Sequence, residues 1–138
     1  MAALQAENHQ KQMPLHWTIS HPARLVTVVA KDDVHLKDIE AYLDGVVVSD
    51  ALPYRKLFDM SQASLHLSDD DMMLLGARIR AYAATPTETI GPLAIVATTA
   101  EGHEQARLFT ALADAKRQIK IFRELHAAQK WLDSLVGS

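Results

Sequence analysis

The sequence predicts an α/β fold: a mixed, mostly parallel β-sheet with flanking α-helices, in the order β-β-α-β-α-β-α-β-α. Three observations predict it. Two strand-like runs near the start lie close enough to form a hairpin. After them, short apolar runs alternate with amphipathic helical segments, the pattern of parallel strands joined by helices. One run, LAIVAT at residues 93–98, is apolar throughout, as a central strand buried on both faces requires.

Each element has its own signal. Residues 1–13, MAALQAENHQKQM, show no strand alternation and read as a mobile leader; 14–138 form the single domain. From Leu15 to Ser20 the apolar residues Leu15, Trp17 and Ile19 alternate with polar ones. His21-Pro22-Ala23 makes the turn, and the β-branched run from Arg24 to Ala30 is the second strand, ended by Lys31-Asp32-Asp33. A helix from Leu36 to Val48 puts Leu36, Ile39, Leu43, Val46 and Val47 on one face. Arg55 to Met60 is a short strand and Ser61 to Leu67 a loop. Ser68-Asp69-Asp70-Asp71 opens the next helix, whose buried side carries Met72, Leu75, Ile79 and Tyr82, with Thr85-Pro86 as its stop. The strand at 93–98 leads to a helix from Ala100 to Ala113 with Phe109 and Leu112 inward. Gln118 to Phe122 is the last strand. The final helix, Leu125 to Leu135, buries Ala128, Trp131, Leu132 and Leu135.

Composition narrows the function. The chain has 138 residues, 49% of them hydrophobic, and a formal net charge of −3. A chain of this size buries a core without staples. Its mild acidity gives no reason to grip nucleic acid, and its basic residues are too scattered for an anionic membrane surface. With no cysteine, disulfides and thiolate chemistry are excluded. No run has the length of a signal peptide or a membrane span, so a cytoplasmic protein without an integral membrane segment is expected. There is no GxSxG elbow, Walker-type loop, GxGxxG or HExxH, and no cofactor is expected.

The C-terminal half carries Ala106-Arg107-Leu108-Phe109, Ala113-Asp114, Ile119 to Glu124 and Trp131-Leu132. The front half carries the Leu15–Ala30 hairpin, a helix with Ile39, Tyr42 and Leu43, and Leu57-Phe58-Asp59 leaving a strand. In these the chain resembles the SpoIIAA-like family, small bacterial proteins also described as STAS/SEC14-like. The resemblance implies two directions. STAS domains include anti-sigma-factor antagonists, protein-binding switches phosphorylated on a serine within Asp-Ser-Ser-Gly. The matching stretch here is Leu67-Ser68-Asp69-Asp70, with Ser68 at the switch position and the flanking motif lost. SEC14-like proteins instead enclose a lipid or another apolar ligand.

Candidate residues follow, each with a plainer role beside it. Ser68 is a phospho-site by the resemblance, or a helix N-cap with Asp71 as its reciprocal partner. Phosphate there would meet three aspartates, so repulsion favours the cap. Those aspartates with His66 suggest a metal, but adjacent helical residues point about 100° apart and cannot converge, so no metal site is expected. Asp59 leaves a strand of the parallel sheet, where ligands bind in such folds, or it caps the local backbone together with Ser61. His103 lies near a helix start, where an acid/base group or a solvated residue is found. Met72, Met73 and Tyr82 are core by default, or line a ligand cavity if the helices splay.

The leading expectation is a non-enzymatic binding or regulatory module of the STAS/SpoIIAA-like type. A carrier or sensor of a small apolar ligand is the alternative, and an enzyme using Asp59 with a histidine the second. An open sheet leaves edge strands, which argues for a homodimer.

Overall fold

The computed structural model describes residues 13–85, 89–113 and 116–136. The expected leader therefore lies, apart from Met13, outside the described residues, as do Pro86 and Asp114. The elements are β1 (Leu15–Ser20), β2 (Leu25–His35), α1 (Leu36–Val48), β3 (Arg55–His66), α2 (Asp69–Ala83), β4 (Leu93–Val96), α3 (Ala100–Leu112), β5 (Ile119–Phe122) and α4 (Leu125–Ser134). The strands lie in sequence order, β1-β2-β3-β4-β5. β1 pairs antiparallel with β2 and the remaining pairs are parallel.

This order decides where the helices go. Each crossover from β2 to β5 steps one strand in the same direction. Parallel crossovers are almost always right-handed, so α1, α2 and α3 fall on one face of the sheet. Only α4, after the last strand, is free to cover the other.

Strand register assigns side chains to the two faces. Val26, Lys56 and Leu93 share a register row, as do Val28, Phe58 and Ile95. These rows face α1, α2 and α3, and Leu15, Trp17 and Ile19 of β1 join them through their partners in β2. The alternate rows bring Leu57, Ala94 and Val96 against Ala128 and Leu132 of α4, with Leu25, Phe122 and Trp131 at the margin. All four residues of β4 are buried, the mark of a central strand covered on both sides.

Two expectations are corrected at one place. β2 does not end at Lys31-Asp32-Asp33, and Ser61–Leu67 is not a loop, because residues 31–35 pair with 62–66. Between Asp59 and Gln62 β3 carries one residue more than β2 does between Val29 and Lys31, a β-bulge. The bulge and the left-handed backbone of Asp32 (φ 60°) bend the ribbon past the sheet. Ala63, Leu65 and Leu67 then alternate inward against the core. Their period of two lies in the sequence behind polar neighbours.

Smaller differences concern the helices. In α1, Tyr42, Leu43 and Val46 are buried and Leu36 and Ile39 pack against the core half-buried, while Val47 is exposed. In α2, Met72, Leu75, Gly76 and Ile79 are buried, Tyr82 is half-buried, and Met73 points to solvent. In α3 the fully buried residues are the small Gly102 and Ala106, with Phe109 and Leu112 half-buried. Gly76 permits close packing of α2 on α3, since a Cβ there would lie 2.7 Å from the Leu112 carbonyl oxygen. No helix among the described residues is long and apolar enough to cross a membrane.

Candidate functional site

The face under α1, α2 and α3 is not filled. A cavity of about 90 Å³ lies there, bordered by Phe58 and Met60 of β3, Ile95 of β4, Met72 and Ile79 of α2, and Ala106 of α3. Its lining is apolar except for four side chains: Tyr42, Lys56, Gln105 and Arg117. Gln105 is occupied, its Nε2 donating to the Leu65 carbonyl at 2.9 Å.

Lys56 is the second residue of β3 and shares its inward side with Phe58 and Met60. It is 4% exposed. A strand with RKLFDM in the middle of a parallel sheet must put one of its alternating residues here, and this one is a cation. Its Nζ donates to the carbonyls of Leu52 (a short contact) and Tyr54 (2.8 Å). Those carbonyls belong to the tight connection after α1, which passes through the left-handed Asp50 (φ 56°). Lys56 thus anchors that turn with two of the three N–H groups an ammonium carries.

Arg117 stands just before β5. Its Nη1 donates to the Gly91 carbonyl at 3.3 Å, while its Nε is buried with no hydrogen-bond partner. Gly91 itself is clamped: its N–H donates to Leu52, and a Cβ would lie 2.2 Å from the Tyr54 carbonyl oxygen. The two cations therefore secure neighbouring turns at one end of the cavity.

Tyr42 projects from α1 between two aromatic neighbours. Its ring meets Trp17 and Phe58 edge-on, at centroid distances of 5.7 and 6.0 Å. Such edge-to-face pairs hold a ring in one orientation.

The electrostatics follow from burial. Burial, then repulsion from Arg117, pushes the Lys56 ammonium down to about 7. Burial pushes the Arg117 guanidinium down to about 10, with Tyr42 acting in the opposite sense, so it stays charged at neutral pH. Burial raises the Tyr42 phenol well above its ordinary value and keeps it protonated. Among the described residues no carboxylate borders the cavity, and neither Lys56 nor Arg117 forms an ion pair.

No known protein family and no curated protein matches the sequence. Among solved structures, the fold is similar to that of an uncharacterised DUF3478-family protein with a SpoIIAA-like fold from Shewanella loihica PV-4. The TM-score is 0.56 and the identity 15%, over 86% of this chain and 91% of that one. The chain has a SpoIIAA-like fold.

Within the SpoIIAA-like fold the residues singled out from sequence fall in different places. Met72 borders the cavity. Tyr82 does not; its hydroxyl accepts from Arg78 Nε at 2.7 Å, and Arg78 in turn pairs with Glu40 and Asp44 of α1. Asp59 is buried in the row that faces away from the cavity. Its Oδ1 accepts from the Ser61 N–H at 3.0 Å and hydroxyl at 2.6 Å. Ser61 lies in the bulge, so Asp59 is engaged by a residue of its own strand there. Ser68 is the N-cap of α2, accepting from the Asp71 N–H at 3.1 Å while its own N–H donates to Asp71 at 3.0 Å. His103 lies in the first turns of α3, away from the cavity, and its N–H donates to the Thr99 carbonyl. His66 meets Asp33 at 2.8 Å and stacks on His35, and no described group of three or more His, Asp or Glu side chains gathers as a metal site.

Sequence reasoning missed Lys56 and Arg117. Lys56 carried a readable signal, a charge on the inward side of a central strand. Arg117 carried none, since it lies between elements and reaches the cavity only through the chain path.

Proposed function

We propose that this chain is a non-enzymatic binding module whose ligand is a small, largely apolar molecule held under α1, α2 and α3. One observation carries the reading: the cavity is apolar, bordered by side chains from three helices and two strands, and lies beside two buried cations. Close-packed interiors leave few voids larger than a water molecule. A void of about 90 Å³ is smaller than the 150 Å³ or so that admits benzene, so the natural occupant has a compact apolar part of a few carbons. The adaptable Met60 and Met72 in its wall widen the range of guests. The one group of the lining suited to chemistry at neutral pH is the Lys56 amine, and its two donations to the Leu52 and Tyr54 carbonyls favour an anchoring role over catalysis. A switch serine has less support, since Ser68 is committed to its capping box.

The test is a titration with small neutral apolar compounds, short-chain amides and alcohols, followed by methyl NMR. The reading expects saturable shifts of the Met60, Met72 and Ile95 methyls, an unmoved Leu132, and no response when the cavity is filled by Ala106→Leu. Shifts that never saturate, or that survive in the filled variant, would contradict it.

A further inference from the structure

Two buried cations without a described counter-charge need a reason. Moving a charged group out of water costs free energy unless a partner is supplied, and two like charges at one cavity raise that cost. Their backbone partners satisfy them only in part. Lys56 uses two of its three donors and Arg117 one bond of a five-donor fork, with Nε buried and unmatched. If anchoring turns were their only role, neutral donors such as glutamine would serve without the charge.

We propose that the ligand carries a carboxylate that seats between Lys56 and Arg117, with its apolar part in the cavity beside Phe58, Ile95 and Met72. This rests on the cavity being a ligand site, as proposed above, and adds the ligand's chemical class. The guanidinium fork is built for a carboxylate, and its unmatched Nε supplies one arm. A monoanion suits the site better than a dianionic phosphate. Arg117 brings one full charge, and Lys56, held near neutrality by burial and Arg117, brings only part of a second. The titratable groups bordering the site are Tyr42 from α1, Lys56 from β3 and Arg117 before β5; the lining side chains from α2 and α3 do not titrate.

Matched pairs of short-chain carboxylates and their primary amides, from butanoate and butanamide upward, test the proposal by calorimetry on the full chain. The carboxylate is expected to bind at least about tenfold tighter than its amide, the scale of a charge-assisted hydrogen bond. Lys56→Gln and Arg117→Gln should bring the two to parity. Wild-type protein gives an arm that needs no variant: carboxylate affinity should fall as pH rises from about 6 to about 9 while amide affinity stays level, because Lys56 loses its proton. Equal binding of acid and amide at every pH would overturn the carboxylate and leave the apolar cavity standing. Failure of every pair to bind would overturn the cavity reading itself, and the carboxylate with it.

Discussion

The two faces of the sheet are built on different principles. Against α4, Leu57, Ala94 and Val96 meet Ala128 and Leu132 in a small apolar cluster, with the buried Asp59 at its edge. Against α1, α2 and α3 the apolar surface is several times more extensive, yet it borders a partly open cavity beside two cations. A single helix lying on a sheet can settle until its side chains interlock. Three helices held by crossovers, by Arg78 between α1 and α2, and by Gly76 against Leu112 cannot all settle at once. The difference teaches that packing is uneven between the faces: one centres on a small apolar cluster, and the other keeps space at a cost in packing.

Substitutions should separate the faces, most strongly through truncation. Leu132→Ala removes a side chain 2% exposed, and a loss of about 2–5 kcal/mol is expected in denaturant unfolding. Met72→Ala, beside existing space, should cost about 2 kcal/mol or less, because its side chain has fewer neighbours to lose. Equal losses would remove the distinction.

Enlargement should give the opposite order. Ala128→Leu overpacks the face under α4 and is expected to cost about 1–3 kcal/mol. Ala106→Leu enters the cavity and should be neutral or stabilising by up to about 1 kcal/mol. A thermal-unfolding series on both variants checks this.

The cations give the hollow face a pH signature. The ordinary value for lysine is 10.5, and folded Lys56 titrates at about 7. Between those values the unfolded chain holds more protons, so stability rises with pH across that window, and the gain is lost as pH falls through 7. Lys56→Met should flatten the rise. A curve unchanged by that substitution would mean that Lys56 is not desolvated as described.

A small effect on stability alone is expected of the cap. Ser68→Ala removes an acceptor from the first turn of α2 and should cost about 1 kcal/mol, leaving ligand affinity unchanged. Loss of binding in that variant would tie the cap to the site.

Much of the fold was legible because its signals are local. The alternation of Leu15, Trp17 and Ile19, the uninterrupted LAIV and the Ser68 cap each act within a few residues. The pairing of residues 31–35 with 62–66 was not, because a bulge and the polar partners Asp32, Asp33, Gln62 and Ser64 hide it. The site was harder still. Asp59 and Ser61 have the residue types of a ligand site, and their chemistry is spent on each other. Arg117 looks like a loop residue and becomes a cavity residue only when β4 and β5 pair and bring its turn beside Gly91.

The central claim is that the face under α1, α2 and α3 holds apolar space. A crystal structure under xenon pressure tests it most directly, since xenon enters dry apolar cavities. The account expects a xenon peak among Phe58, Ile95 and Met72, and none between Leu132 and the sheet. Xenon absent from the first position, or chains of ordered water filling it, would contradict the account.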